Sequence, residues 1–190
     1  MIQTDRKLDA KGLACPMPVV KTKKAMQQLA PGHVLEVQAT DKGSIADIKA
    51  WAQSVGHQYI GVHEEEGVIT HYLRKTSSEE TEEKRFPHVV SNEELQAVLA
   101  VEEDVQILDV RESAEYAFGH IPGALSAPLG ALEELMRGLD QDASTYVICR
   151  TGNRSDMAAQ KLADAGFSNV KNVVPGMSGW NGSIEKSRNE

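Results

Sequence analysis

The chain has 190 residues, of which 41% are hydrophobic, enough to bury the core of one medium or two small domains. The N-terminus lacks the apolar run of a signal peptide, and no later stretch approaches the roughly 18 apolar residues of a membrane span. We therefore expect a soluble, cytoplasmic protein without a membrane partner. The net charge of −8 is uneven, because residues 76–190 carry 10 basic and 20 acidic residues. This acidic half argues against direct nucleic-acid binding, which needs basic surface.

The only two cysteines, Cys15 and Cys149, lie far apart in the sequence. Cytosolic thiols are normally kept reduced, so we interpret each as a single thiol with its own surroundings. These cysteines and the six scattered histidines show no paired spacing of the kind that zinc sites use. We expect neither a metal nor an organic cofactor.

Residues 74–87 form a polar, charged run that is almost free of apolar side chains. This composition is typical of a solvated linker between domains. The alternative is a long exposed hairpin loop or a charged helix end within one domain. We place a first domain at residues 1–74, a linker at 75–86 and a second domain at 87–190.

The first half of the chain predicts the element order βαβαββ. Pro31-Gly32 would stop the first helix, Ser44 can cap the second, and Glu66-Gly67 favours a turn between the last two strands. This order indicates a small two-layer sandwich. The predicted strands cover residues 7–10, 34–39, 58–62 and 68–73, and the predicted helices cover residues 18–29 and 45–55.

After the charged run, strands and helices alternate again. Ser91 and Glu94 form a capping-box pattern before an apolar helix, and Gly166 would end a later one. We predict strands over residues 105–110 and 146–148 and helices over residues 130–138 and 155–165. Such alternation indicates an α/β domain whose mostly parallel sheet is covered on both faces.

Cys149 stands where the apolar strand 146–148 ends and the helix 155–165 is about to begin. Ligand sites in such sheets lie at the carboxyl ends of the strands. Gly152 lets the loop curl so that backbone N–H groups form an anion nest, and Arg150 and Arg154 add positive charge. Cys149 should therefore be a thiolate that can hold a persulfide during double-displacement chemistry. The alternative is an inert buried core thiol.

Three further motifs accompany this loop. They are Asp109-Val110-Arg111-Glu112 with Glu115-Tyr116, then Gly119-His120-Ile121-Pro122-Gly123-Ala124, and finally Gly176-Met177-Ser178-Gly179-Trp180. Together with the loop they resemble the rhodanese family over residues 86–183. The resemblance implies a sulfurtransferase with Cys149 as the sulfur-accepting nucleophile. It also implies that the persulfide cradle consists of Arg150, Thr151, Gly152, Asn153 and Arg154.

The polar residues around the loop have less specific interpretations. Asp109 either orients Arg154 by a charged hydrogen bond or caps the chain locally. Arg111 and Glu115, four positions apart, are expected to form a structural ion pair. We interpret His120 as a structural hydrogen-bonding residue and not as a base.

The length of the loop bears on a rival function. Phosphatases of the related fold, of the cell-cycle type, place five residues between the cysteine and the arginine. Here four residues separate Cys149 from Arg154, and the smaller loop suits a single sulfur atom better. We therefore favour sulfur transfer over a phosphatase or arsenate reductase.

Cys15 lies in Cys15-Pro16-Met17-Pro18, directly before the first predicted helix. Proline is tolerated in a first helical turn, and the helix dipole favours a thiolate there. Lys21, Lys23 and Lys24 would add positive potential. These features leave two alternatives equally open, a reactive low-pKa thiol and a small residue at a helix start.

A longer sequence match around Cys15 favours a functional role for this cysteine. Leu8-Asp9 and Gly12-Leu13-Ala14-Cys15-Pro16-Met17-Pro18 resemble the opening of the TusA-like (SirA-like) family, known for a Cys-Pro-x-Pro motif. The similarity covers residues 5–74. It implies a sulfur carrier with Cys15 as its persulfide site. We interpret Asp41 and Asp47 as capping or solvated residues.

From these two resemblances we expect a TusA-like carrier domain fused to a single-domain rhodanese. Cys149 would take sulfur from thiosulfate, a polysulfide or a low-molecular-weight persulfide and pass it to Cys15 or to an acceptor protein. The alternative is a persulfide-sensing or partner-delivery module with little turnover. The sequence leaves open the physiological donor and acceptor, the direction of transfer between the thiols and the oligomeric state.

Overall fold

The computed structural model describes residues 2–77, 86–102 and 104–187. Residues 2–77 belong to one compact unit, and the described residues from 86 onward belong to a second. The charged linker predicted over residues 75–86 includes residues 78–85, which lie outside the described residues. Within the described ranges, no helix has the length and apolar character needed to cross a membrane.

The first unit consists of a four-stranded sheet and two helices. Its strand order is β1-β2-β4-β3, in which β1 runs parallel to β2 and the other neighbours are antiparallel. The predicted βαβαββ order is confirmed. In chain order the elements are β1 (Arg6–Asp9), α1 (Met17–Gln28), β2 (Val34–Ala39), α2 (Ser44–Ser54), β3 (Gln58–Glu65) and β4 (Val68–Arg74).

Both helices pack against the same side of this sheet. The buried residues of α1 recur at helical spacing, so one stripe of the helix faces the sheet. In α2, Ile48 and Ala52, one turn apart, are buried in the same way. The shared core explains the two-layer form, and it contains Ala25, Met26, Leu35, Val37, Ile48, Ala52 and Leu73.

A two-residue turn connects β3 to β4. Glu66 and Gly67 both have positive φ, at 50° and 80°, which matches the twist of an antiparallel hairpin. The turn sets the register that places His71 of β4 opposite Val62 of β3 and Val37 of β2. The turn predicted at these two residues is confirmed.

His71 is buried between two hydroxyl groups. Its Nε2 lies 2.9 Å from Ser44 Oγ, and its Nδ1 lies 2.9 Å from Tyr59 Oη. The prediction that Ser44 caps α2 is wrong, because the helix begins at Ser44 after Gly43 and its hydroxyl turns to His71 instead. Burial lowers the pKa of His71 to about 4 and raises the pKa of Tyr59 to about 12. A neutral imidazole therefore joins β4 to α2 and β3.

This neutral histidine should make the first unit sensitive to acid. The pKa of His71 is about 4 in the fold and about 6.5 when the chain unfolds, so the unfolded chain binds more protons between these values. Its contribution is complete above pH 6.5 and is lost as the pH falls toward 4. The difference corresponds to roughly 3 kcal/mol. We expect His71→Gln, which can form hydrogen bonds but cannot titrate, to flatten this loss of stability.

Urea unfolding at pH 7 and pH 5 measures this effect. In a Trp180→Phe background, Trp51 fluorescence reports on the first unit, because Trp51 packs against its core. His63→Gln, at a more exposed histidine on β3, is the control and should keep the original pH dependence. An unchanged pH dependence in His71→Gln would contradict the prediction.

The second unit is a parallel sheet with helices on both faces. Its strand order is β5-β9-β8-β6-β7, and every pairing between the described strands is parallel. The predicted mostly parallel sheet is confirmed. The elements are β5 (Val89–Ser91), α3 (Asn92–Leu99), β6 (Gln106–Asp109), α4 (Ser113–Phe118), β7 (Leu125–Ser126), α5 (Leu132–Leu135), β8 (Thr145–Ile148), α6 (Asn153–Asp164) and β9 (Val170–Val174).

Two local predictions in this unit have different outcomes. The capping box at the start of α3 is confirmed, since Glu94 N donates to Ser91 Oγ and Ser91 N donates to Glu94 Oε2. The single helix predicted over residues 130–138 is instead the short α5 followed by a 3₁₀ turn at Met136–Gly138.

The strand β8 lies between β9 and β6 and is buried throughout. Successive side chains point to opposite faces of the sheet, so Val147 packs with α6 while Tyr146 and Ile148 pack with α3. Apolar residues on both faces explain the uninterrupted apolar run in the sequence. The residue after β8 emerges at the carboxyl edge of the sheet, and that residue is Cys149.

Candidate functional site

Cys149 occupies the loop between β8 and α6. Its side chain is buried, and the residue is only 1% exposed. The sulfur accepts a hydrogen bond from the Gly152 N–H at 3.1 Å and another from the Ser155 hydroxyl at 3.3 Å. Gly152 has a φ of 92°, in the left-handed region that glycine adopts readily, and it directly precedes α6. The loop therefore aims a backbone donor at the sulfur.

Three carbonyl groups of this loop accept hydrogen bonds from residues outside it. In a trans peptide group the N–H points opposite to the carbonyl, so outward carbonyls are the orientation that an anion nest requires. The donors outside the loop lie in β9 and in the segment that follows it. The contacts are Met177 N to Cys149 O at 2.8 Å, Ser178 N to Arg150 O at 2.9 Å, and Asn172 Nδ2 to Gly152 O at 3.1 Å.

Two buried asparagines hold the glycines of this site, and sequence reasoning missed both. Asn172 of β9 binds the Gly152 carbonyl, and Asn92 of α3 donates to the Gly176 carbonyl at 3.0 Å. Both are 0% exposed. A lone asparagine within the apolar strand β9 was the available signal, because an amide is rarely buried without a specific partner.

Gly176 lies directly against the cysteine loop. A Cβ atom at this position would lie 2.4 Å from the Cys149 carbonyl oxygen and 3.1 Å from the Arg150 carbonyl oxygen. Its φ of 83° and ψ of −157° are also essentially restricted to glycine. The close approach lets Met177 and Ser178 reach the loop carbonyls.

We expect Gly176→Ala to displace the Cys149 loop. The added methyl group would push against loop carbonyls, and the backbone strain alone costs about 1–3 kcal/mol. The free energy of unfolding and the rate of sulfur loading onto Cys149 should both fall. Gly123→Ala is the control, because Gly123 has a similar φ of 78° but a Cβ added there would meet no atom within 4 Å. Equal losses in the two variants would contradict a specific role for the close approach.

Two buried ion pairs lie next to the loop. Arg154 of α6 donates to both carboxylate oxygens of Glu115 on α4, at 2.7 and 3.0 Å. Arg111 donates from Nε to both oxygens of Asp109, at 2.9 and 3.1 Å. The predicted pairing of Arg111 with Glu115 is therefore wrong.

The two pairs form for different reasons. One joins neighbours in the sequence, and the other joins residues that the packing of two helices brings together. Asp109 ends β6 two residues before Arg111 and also accepts the Arg111 N–H at 3.1 Å, so its role is local. Glu115, in the first turn of α4, instead meets Arg154 in the first turn of α6. Arg111 also donates to the Gly119 carbonyl at 2.7 Å.

The predicted cradle residues occupy different positions around the sulfur. Gly152 contacts it directly, together with Ser155, which sequence reasoning missed. Arg150 and Thr151 are exposed, and Asn153 is half-buried at the start of α6. Arg154 is buried and engaged with Glu115. The loop therefore presents one exposed cation, Arg150, directly beside the buried cysteine.

His120 has the structural environment expected of it. Its Nδ1 lies 2.9 Å from the Tyr116 carbonyl oxygen. The imidazole also stacks on the Tyr116 ring, with the two ring centroids 3.7 Å apart. These contacts connect α4 to the turn that follows it.

Cys15 is exposed at the start of α1, and Pro18 lies in the first turn of that helix. The sulfur donates a hydrogen bond to Asp47 Oδ2 at 3.1 Å. That bond raises the pKa of the Cys15 thiol above its usual 9.0, with further contributions from desolvation and from the charges of Asp47 and Asp41. This direction disfavours the low-pKa alternative that the sequence left open for Cys15.

The loop before α1 explains how Asp47 reaches the thiol. Ala10 N donates to the Gln38 carbonyl at 2.8 Å, and Gly12 N donates to Thr40 Oγ1 at 2.9 Å. These bonds fasten the loop to the end of β2, next to the start of α2. Asp47, interpreted from the sequence as a capping or solvated residue, lies in the first turn of α2 and in addition contacts the thiol.

Each of the two units matches a known family. Residues 6–75 match the family described as "Sulfurtransferase TusA", and residues 91–183 match the family described as "Rhodanese-like domain". The chain is a TusA domain fused to a rhodanese-like domain. A Bacillus subtilis protein named "Putative sulfur carrier protein YrkF" is 48% identical over 178 residues, covering 94% of this chain and 96% of that protein. The chain therefore belongs to the same two-domain family.

Two further similar proteins each match about half of this chain. The B. subtilis "Putative sulfurtransferase YtwF" is 38% identical over 93 residues, which is 49% of this chain and 89% of that protein. The crystal structure of a rhodanese-like domain protein from Staphylococcus aureus is 28% identical, with a TM-score of 0.50, and covers 53% of this chain and 99% of that one. Sulfur carrier and sulfurtransferase domains together assign this TusA–rhodanese fusion to sulfur transfer in general.

Proposed function

We propose that the TusA–rhodanese fusion takes sulfane sulfur onto Cys149 as a persulfide and passes it to a thiol acceptor, with Cys15 as one such acceptor. The arrangement of hydrogen bonds around the Cys149 loop carries this proposal. The loop carbonyls are bound from outside, and the sulfur accepts hydrogen bonds from Gly152 and Ser155. Such donors stabilise a negative charge on a thiolate or on a persulfide.

The chemistry is a double displacement. In the first step the Cys149 thiolate attacks the sulfane sulfur of the donor, a new S–S bond forms, and the donor's bond to that sulfur breaks. The bonding electron pair leaves with the donor, as sulfite when the donor is thiosulfate or as a thiolate when it is a persulfide. In the second step an acceptor thiolate attacks the outer sulfur, and Cys149 leaves as a thiolate. No external oxidant or reductant is consumed.

An anionic donor suits the charge beside Cys149. Thiosulfate, polysulfides and low-molecular-weight persulfides are all negatively charged, and the exposed Arg150 would attract them. We assign Thr151 and Asn153 to the same cradle. Arg154 would act from behind the loop through Glu115, and Asp109 would support the site through Arg111.

The geometry counts against a phosphatase or arsenate reductase. Such an enzyme needs an arginine guanidinium that faces the oxyanion. Arg154 is buried, and Glu115 accepts hydrogen bonds from both of its terminal nitrogens. Sulfur transfer uses the loop N–H groups and does not need that guanidinium.

The second thiol supports a relay and also a second candidate function. Placing Cys15 and Cys149 in one chain raises the effective concentration of each at the other when the linker lets them meet. The raised pKa of Cys15, however, leaves little thiolate at neutral pH. That observation favours the second candidate, a delivery module that exchanges sulfur only with a docked partner protein.

We propose the cytoplasm as the compartment, because both cysteines are free thiols.

Intact-protein mass after brief exposure to thiosulfate or polysulfide tests the proposal. We expect the wild type and Cys15→Ser to gain the mass of one sulfur atom on Cys149, and cyanide should remove it as thiocyanate. Cys149→Ser should lose this gain, because it lacks the nucleophile that accepts sulfur from the donor. A second sulfur on Cys15 that requires Cys149 would support the relay. Equal loading of Cys149→Ser and wild type would overturn the assignment of Cys149.

A further inference from the structure

The two cysteines of the chain have opposite hydrogen-bonding partners. Cys149 accepts hydrogen bonds from two donors, whereas Cys15 donates one to the Asp47 carboxylate at 3.1 Å. An ionised carboxylate is an acceptor only, so the proton in this bond must come from the sulfur. The contact can therefore form only while Cys15 is a thiol, which is the unreactive form.

Asp47 is held in place by the helix that carries it. It lies in the first turn of α2, where the unpaired N–H groups of a helix stabilise a negative charge. Its own N–H donates to the Gly43 carbonyl at 3.2 Å, which fixes the residue within that turn. The position of the carboxylate is thus set by the helix and does not depend on Cys15.

The other charged groups near Cys15 do not offset Asp47. Asp41, on the loop before α2, adds a second negative charge that acts on the thiol. Lys11, on the loop between β1 and α1, donates to Gln38 Oε1 at 3.1 Å and lies 3.6 Å from Asp9 Oδ2. Helix α1 carries three exposed lysines, Lys21, Lys23 and Lys24. Among the contacts of the described residues, none of these lysines makes a hydrogen bond to the sulfur.

We propose that Asp47 holds Cys15 in its thiol form, and that a cationic side chain of a partner releases the cysteine by pairing with Asp47. This inference rests on the proposed function of Cys15 as a sulfur carrier and adds its control. The partner is identified by its chemistry, as a protein surface with a lysine or arginine beside its own reactive sulfur. Free Cys15 is then protected from small electrophiles until such a surface is bound.

The transfer itself is balanced. When the partner's cation pairs with Asp47, the thiol proton passes to a solvent base, and the Cys15 thiolate attacks the outer sulfur of the partner's persulfide. A new S–S bond forms at Cys15, the partner's S–S bond breaks, and its electron pair leaves on the partner's thiolate. After loading, the negative charge of Asp47 repels the persulfide anion and so favours its transfer to the next acceptor.

Alkylation of Cys15 by iodoacetamide tests this control without any sulfur donor. The full chain with Cys149→Ser leaves Cys15 as the single thiol, and the rate is measured from pH 6 to pH 10 with and without Asp47→Asn. We expect Asp47→Asn to lower the apparent pKa and to raise the rate at pH 7 roughly three- to tenfold, since one pKa unit changes the thiolate fraction tenfold. Asp47→Ala should change the apparent pKa and the alkylation rate in the same direction. That result would show that the effect does not depend on the amide group introduced by Asp47→Asn.

Glu64→Gln is the matched control, because it removes the same charge from an exposed position on β3. It should leave the profile unchanged, and Asp41→Asn should shift it less than Asp47→Asn does. A second arm adds a short arginine peptide at pH 7. The peptide should accelerate alkylation when Asp47 is present and have little effect on Asp47→Asn.

Several results would overturn the proposal. An unchanged or slower alkylation in both Asp47 variants would show that the carboxylate does not hold the thiol form. An arginine peptide without effect would remove the release by a cationic partner. Because alkylation requires no persulfide, these outcomes are independent of whether Cys15 receives sulfur from Cys149, which the mass measurements decide.

Discussion

A peptide group cannot turn its carbonyl and its N–H to the same side, and this constraint governs the Cys149 loop. The carbonyls of Cys149, Arg150 and Gly152 accept hydrogen bonds from outside the loop, and the Gly152 N–H donates to the sulfur inside it. The external donors come from β9 and the segment after it, more than 20 positions along the chain from Cys149. The chemistry of one sulfur atom therefore depends on the packing of the whole parallel sheet.

The two domains place opposite kinds of hydrogen-bonding group around their cysteine sulfurs. The rhodanese-like domain surrounds a buried sulfur with hydrogen-bond donors and keeps the buried charges of Arg154 and Arg111 compensated by carboxylates. The TusA domain leaves its sulfur exposed and places a carboxylate against it. The Cys149 sulfur accepts hydrogen bonds, whereas the Cys15 sulfur donates one. This difference means that the two thiols of the chain are not chemically equivalent.

Local patterns were sufficient to predict the order of elements in the first unit. In the second unit they predicted α3, β6, β8 and α6 but missed β5, α4, β7 and β9. Apolar periodicity, the Ser91–Glu94 capping box and the Glu66-Gly67 turn are set by near neighbours, and the structure follows them. Partners chosen by tertiary approach were not predictable in the same way. Spacing suggested a pair within one helical turn, but Glu115 meets an arginine 39 positions away. Ser44, Asp47 and Asn172 likewise have partners that only the packing of α2 and β9 determines.

The strand orders of the two sheets also place the cysteines at different levels of local stability. Cys149 follows β8, an interior strand paired on both sides, whereas Cys15 follows β1, which is paired on one side only. Amide hydrogen exchange is slowest in interior strands, which open only when the domain unfolds, and faster at sheet edges. Local opening at the edge of the TusA sheet can thus reach the segment before Cys15 without unfolding of the whole domain. The Cys149 loop of the rhodanese-like domain keeps its shape for as long as that domain stays folded.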